Sequence, residues 1–340
     1  MNIILSHDSA LEYWRSAPAR RRDCARPTRR EALPCQPAPD SEVALMLLDE
    51  GLDLSTPVHV LVSPQAARAP RGLQRLHYAD RIPGRSVMNI AGEVDVVCPE
   101  LCFVHMASTL PLVELIRLGY ELCGRYASFD EVRYDCEPVT TPARLRAYLS
   151  RAAGIKGVKR ARRALQYVLA NSASPMETTL TMLLTLPYSL GGYSLPAPLL
   201  NERVEADGRS DNLLHQEFYV CDLLWKEAGV GIEYDSTAFH SSAQRMAHDA
   251  QRRGDLAVLG VHVETVTADQ VFNWAQTDKL AGRMAKLLGQ RIRPTQAGFL
   301  EKQAQLRDAL LPRREREAEA SVPVSDLLRE GAEHRDTRRP

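Results

Sequence analysis

The sequence predicts an α/β protein: a C-terminal sheet flanked by helices, preceded by a smaller α+β domain. Three observations lead there. A chain of 340 residues divides into two domains at about 100–200 residues each. Three strongly strand-like runs, at 217–225, 230–235 and 261–267, alternate with helical patterns in the second half. Finally, 43 Lys+Arg cancel 43 Asp+Glu, yet the two signs fall in different segments.

At 44% hydrophobic and 25% charged residues, the chain is neither a disordered polymer nor a histone-like polycation. Seven cysteines, an odd number scattered from Cys24 to Cys221, do not form a disulfide framework. They read as reduced, mostly buried thiols of a cytoplasmic protein. Cys98 and Cys102 lack the second pair of soft ligands that structural zinc wants. No run of 18 apolar residues occurs, so no membrane span is expected. The opening turns polar too soon for a signal peptide.

Residues 1–40 form a basic, irregular segment with Arg20-Arg21-Arg22, Arg29-Arg30 and several prolines. Such a run reads as solvated surface before it reads as a nucleic-acid arm. Residues 41–140 form the α+β domain. Ser41 is placed to cap a short helix to Leu48, and β-branched residues make 58–62 a strand. Alternation is weak over 73–78, and 94–97 is a short strand. Helical spacing runs over 101–126 with a break near Pro111, where Leu112, Leu115, Ile116 and Tyr120 share one face. His59, His77 and His105 read as structural or exposed residues.

Residues 141–173 form a basic helical connector. From Thr141 to Met176 there are eight basic residues and no acidic one, and Gly154 and Gly157 divide two helical pieces. Lys156, Lys159, Arg160, Arg162 and Arg163 crowd the second piece. Cations without carboxylate partners suit phosphates, whose neutralisation dominates nucleic-acid affinity. Residues 177–280 reverse the sign, with 15 acidic residues against 7 basic.

The domain at 174–290 opens with Ser174-Pro175-Met176-Glu177, a helix start in which Ser174 caps and Glu177 takes the capping-box position. In the first strand, alternation places Phe218, Val220, Asp222 and Leu224 on one face. An aspartate in line with core side chains is costly unless it is paired or binds a metal. The hairpin brings Asp222 beside Glu233, and a pair of carboxylates is what a hard divalent cation asks of a protein. Beyond it come Asp235, His240, a helix carrying Asp249, Arg252 and Arg253, the strand at 261–267 with a structural His262, and a closing helix over 270–289. The last segment, 291–340, reads as a charged, partly disordered tail.

These residues carry a resemblance. Ser174-Pro175-Met176-Glu177, Asp222-Leu223-Leu224-Trp225, Glu233-Tyr234-Asp235, His240, Asp249-x-x-Arg252-Arg253 and Leu259-Gly260-Val261 follow in family-like order and spacing. The string resembles the DUF559 proteins, relatives of very-short-patch-repair endonucleases in the PD-(D/E)xK restriction-endonuclease-like superfamily. It covers roughly residues 170–290, about a third of the chain. The N-terminal half, around Val97 to Cys102, is faintly similar to AbiEi-like antitoxin proteins. The resemblance implies a three-layer α/β/α core with a mixed sheet. It implies Asp222 and Glu233 as ligands of Mg²⁺ or Mn²⁺, with Glu177 supporting the site. Asp235 occupies a place where many superfamily members carry lysine; in the DUF559 group an aspartate there is usual. His240, Asp249 and Arg252 match the family's histidine and helix positions. With lysine missing, His240 is the acid–base candidate and Arg252 or Arg253 the source of positive charge. Two functions follow: a metal-dependent DNA endonuclease of repair or defence, or a catalytically silent DNA-binding regulator that keeps the nuclease fold.

Overall fold

The computed structural model describes residues 3–16, 28–30, 54–55, 57–62, 73–77, 82–92, 94–129, 131–205, 214–235, 243–294 and 297–311. The helix expected at 41–48, His240 and the segment 312–340 lie outside the described residues.

The first sheet contains β1 (Ile3–Leu5), β2 (Thr28–Arg30), β3 (Val58–Val62), β4 (Leu73–His77), β5 (Val87–Ala91) and β6 (Val94–Val97). Their spatial order is β2-β5-β6-β1-β3-β4. The sheet is mixed: β1 runs parallel to β6 and antiparallel to β3. The first strand and the helix α1 (His7–Arg15) were not anticipated, because three apolar residues are too few to show a period. Here Ile3, Ile4 and Leu5 are all buried, and Trp14 donates its indole N–H to the Val97 carbonyl at 2.9 Å.

The helical stretch expected over 101–126 is two helices, α2 (Pro99–Met106) and α3 (Leu112–Leu122), parted at Pro111 as anticipated. Every residue of α2 is buried, so it is the spine of the first core. Arg15 makes a paired contact to Glu121 on α3 at 2.8 and 2.7 Å, and Glu121 also accepts from the Ser128 amide at 2.9 Å. That amide begins the small hairpin of β7 (Ala127–Ser128) and β8 (Val132–Arg133). The basic connector then forms α4 (Pro142–Arg151) and α5 (Val158–Leu165). Gly157 precedes α5 with φ +93, and a Cβ there would stand 2.4 Å from the Val104 carbonyl oxygen. Glycine is therefore required where α5 crosses the end of α2.

The second half runs α6 (Pro175–Thr185), β9 (Leu199–Glu205), β10 (Phe218–Trp225), β11 (Val230–Asp235), α7 (Ala243–Val258), β12 (His262–Thr267), α8 (Ala268–Phe272), α9 (Trp274–Leu287) and α10 (Phe299–Leu310). The sheet order is β12-β11-β10-β9, with β11 parallel to β12 and the other pairs antiparallel. On one face Leu223, Trp225, Ile232 and Val266 join Leu180 and Leu183 of α6 and Leu280 and Met284 of α9. On the other, Tyr219, Cys221 and Leu224 pack with Leu256 of α7 and with Val261. Helices thus cover both faces of a mixed sheet, and the α/β expectation holds at that level.

Three details differ from the sequence expectation. β9 was not anticipated, because it is an edge strand of mixed polarity with one fully buried residue, Leu200. The closing helix breaks at Asn273, whose side chain caps the Gln276 amide at 3.1 Å. Residues 299–310, inside the expected tail, form a helix with Leu306 and Leu310 buried. Arg307 on it caps α8, donating to the Val271 carbonyl at 2.9 Å and that of Phe272 at 2.5 Å.

His105 is 3% exposed and its ring stacks on His7 with centroids 4.2 Å apart. Burial, and then the nearby His59, push the His7 imidazole down to about 4. Burial, and then His7, hold His105 well below the usual histidine range. Both rings are neutral in the fold and chargeable in the unfolded chain. Their contribution to stability is complete above about pH 6.5 and is lost as pH falls toward 4. His7 has φ +47, which asparagine tolerates. His7→Asn is expected to reduce the acid loss of stability by at most about 3 kcal/mol, measured as urea midpoints between pH 4 and 7.

Candidate functional site

The site is built at the end of the second sheet where two strands part. β10 pairs with β11 only over Leu223–Trp225 against Val230–Ile232, whereas its pairing with β9 continues to Phe218. Past Leu223 the Tyr234 amide donates instead to the Asp222 carboxylate, at 2.7 Å. A side chain thus replaces a rung of the ladder. Opposite Asp222, β9 carries Asn201 at φ +48, a left-handed conformation within a strand. The facing of side chains slips here. Tyr219 and Cys221 pack with α7, while Leu223 and Trp225 join the main core. This corrects the simple alternation that placed Phe218, Val220, Asp222 and Leu224 on one face: a strand's period of two holds only where its ladder is regular.

Two carboxylates, Glu177 and Glu233, act electrostatically on Asp222 at this irregularity. Glu177, 7% exposed in the first turn of α6, receives the Ser174 cap: its amide donates to Ser174 Oγ at 3.1 Å. Its Oε2 accepts from the Ala173 amide at 2.9 Å and from Asn201 Nδ2 at 2.7 Å. Asn201 also donates to the Asn171 carbonyl at 2.9 Å, so the irregular strand is tied to the start of α6. Asp222 feels the charges of both Glu177 and Glu233. Burial pushes its carboxyl up to about 7, and so do Glu177 and Glu233, against the pull of the Tyr234 amide and Arg252. A carboxyl so placed holds a proton near neutrality.

Glu233 carries a counter-ion from the protein itself. Arg252, on α7, donates through Nε at 2.8 Å and through a terminal nitrogen at 2.6 Å, both to Glu233 Oε1. The same terminal nitrogen reaches the Val220 carbonyl at 2.5 Å. The guanidinium also lies 5.7 Å from the centre of the Tyr219 ring. Tyr219 donates its hydroxyl to the buried Asp255 at 2.6 Å, and His215 Nδ1 approaches that carboxylate at 3.1 Å. The Tyr219 hydrogen bond holds Asp255 below the usual carboxylate range.

Of the residues expected from sequence, Glu177, Asp222, Glu233 and Arg252 come together here. Asp235 closes β11, registered against Thr267. Asp249 is about half exposed, with His248 Nδ1 4.0 Å away. Among the described residues, no group of three or more His, Cys, Asp or Glu side chains is disposed to hold a metal ion. Asn201, Tyr219, Asp255 and His215 were missed. Only Asp255 left a trace, three residues after Arg252 and hence on the same helix face.

Four of the five expected phosphate cations lie on α5, and Lys156 lies just before it. Val158, Ala161, Ala164 and Leu165 are its buried stripe, and Lys159, Arg160, Arg162 and Arg163 are exposed. Two of these also serve the fold: Arg160 donates to the Leu110 carbonyl at 3.1 Å and Arg162 to that of Leu149 at 2.6 Å. Lys156, Lys159 and Arg160 line a pocket with Ser108 and Gly157 where α5 meets the end of α2. No helix among the described residues is long and apolar enough to cross a membrane.

No family model, curated protein or solved structure matches the chain.

The raised Asp222 value has a consequence for stability. An acid whose folded value exceeds its unfolded one costs no stability below about pH 4, and the cost grows until about pH 7. Asp222→Asn keeps an acceptor for the Tyr234 amide and removes the charge. At pH 8 it is expected to melt above the wild type, by about 2–4 °C per kcal/mol relieved. By calorimetry the difference should vanish near pH 4.

Proposed function

We propose that the protein is a metal-dependent endonuclease-like hydrolase of DNA phosphodiester bonds, with Mg²⁺ or Mn²⁺ as its cofactor. The observation that carries this reading is the Asp222 carboxyl, lifted to about 7 between Glu177 and Glu233 where the ladder opens. Carboxylates crowded at a strand end, with no lysine among them, suit a divalent cation better than a lone proton. The donor set fits such an ion: Asp222 and Glu233 would hold it, with water filling the rest of the shell. A bound divalent cation supplies acidity to a water nucleophile and offsets charge on the phosphate. Glu177 holds Asn201 and so shapes the wall beside Asp222. Arg252 stands at the same place as a bidentate donor for a phosphate oxygen. His240, the acid–base candidate by resemblance, lies outside the described residues. Lys159 and Arg163 on the exposed face of α5, with Lys156 just before it, offer contacts to the DNA backbone.

A second reading has its own observation. Arg252 already neutralises Glu233, which favours a silent, nuclease-like DNA-binding regulator. One assay separates the two. Supercoiled, single-stranded and mismatched DNA are incubated with and without Mg²⁺ or Mn²⁺. The enzyme reading expects metal-dependent cleavage that Asp222→Ala lowers by about a hundredfold or more. Salt-sensitive DNA binding without cleavage, unchanged by Asp222→Ala, is the outcome that favours the regulator.

A further inference from the structure

We propose that Arg252 stands in for the cation in the metal-free protein and releases Glu233 when a DNA phosphate reaches it, so that metal and DNA bind cooperatively. The inference rests on the metal-dependent reading above and adds a coupling that reading does not contain.

Both Arg252 donors fall on a single oxygen, Glu233 Oε1, at 2.8 and 2.6 Å. A guanidinium on that atom and a divalent cation at the same carboxylate repel each other, so occupancy by one weakens the other. The guanidinium is not locked in place by burial: the Arg252 side chain keeps 25% of its exposure and Glu233 keeps 21%. Its other contacts are to the guanidinium itself: the terminal nitrogen that serves Glu233 also donates to the Val220 carbonyl, and the guanidinium carbon lies 5.7 Å from the centre of the Tyr219 ring, so both supports stay at the site while the partner of the outer donors is exchanged. Tyr219 is itself anchored by Asp255 from the same helix, so the platform persists when the fork moves. A phosphate oxygen pair is a better bidentate partner for the fork than one carboxylate oxygen shared by two donors. Once the fork turns to phosphate, Glu233 is an unpaired carboxylate beside Asp222. By linkage, whatever factor DNA adds to metal affinity, metal adds to DNA affinity.

The test is calorimetric titration of the full chain with Mn²⁺, without DNA. Arg252→Gln keeps one neutral donor for Glu233 but removes the charge. It is expected to bind Mn²⁺ about tenfold more tightly than the wild type. Glu233→Gln should lose most of the binding in either background. A second arm reads duplex binding by fluorescence anisotropy. Mn²⁺ should tighten it about tenfold in the wild type and leave it nearly unchanged in Arg252→Gln. Circular dichroism checks the fold, and if the Gln variant is unfolded, Arg252→Lys replaces it and should show an intermediate gain. If Arg252→Gln binds Mn²⁺ no more tightly than the wild type while Glu233→Gln abolishes binding, the exchange is overturned and the metal site stands. If neither wild type nor Arg252→Gln binds Mn²⁺, the metal reading falls and this inference with it.

Discussion

The bond from the Tyr234 amide to the Asp222 carboxylate at 2.7 Å occupies the place where the β10–β11 ladder would otherwise continue. Backbone amides inside a fold need an acceptor. Here a side chain provides it, which frees the two strands to part without leaving the amide unsatisfied. The parting allows the facing of β10 to slip, so that residues on either side of Asp222 belong to different layers. It also brings a carboxyl into the sheet's interior within reach of the charges of Glu177 and Glu233. The cost is visible in the lifted Asp222 value.

Around this bond the protein arranges two kinds of support. On the α6 side the support is neutral: Asn201 and the Ala173 amide both serve one Glu177 oxygen. On the α7 side it is charged: Arg252 serves Glu233, with Tyr219 and Asp255 behind it. The neutral side has a fixed hydrogen-bond pattern tied into the helix start. The charged side is an ion pair whose guanidinium has a geometry that suits carboxylate and phosphate alike.

The two halves of the chain are joined through apolar packing. A single cluster of buried residues extends from Ile3 to Leu311. Helix α10 contributes to it from a segment whose composition reads as a solvated tail. Glu301 and Asp308 are exposed, Arg307 is buried as a cap rather than as an apolar contact, and the two buried leucines are too sparse to announce a core-facing stripe. The buried stack of His7 and His105 likewise depends on a short N-terminal strand that only its neighbours in the sheet identify.

By itself the sequence determined the elements whose period is long enough to count. These include the helix start at Ser174-Pro175-Met176-Glu177, the strands around Asp222, Glu233 and Val263, the division at Pro111 and the basic stripe of α5. It also singled out Asp222 and Glu233, because carboxylates inside otherwise apolar strands contradict their surroundings. Tertiary structure decided the rest. The short inner strand β1 and the edge strand β9 exist through pairing rather than propensity. The slip at Asp222 requires Asn201 on one neighbour and Tyr234 on the other. The choice of Arg252 as Glu233's partner, rather than the adjacent Arg253, follows from which side of α7 faces the sheet. Local sequence carries periodicity. Distances between side chains far apart in the chain are set by packing, and the chemistry of this site is made of such distances.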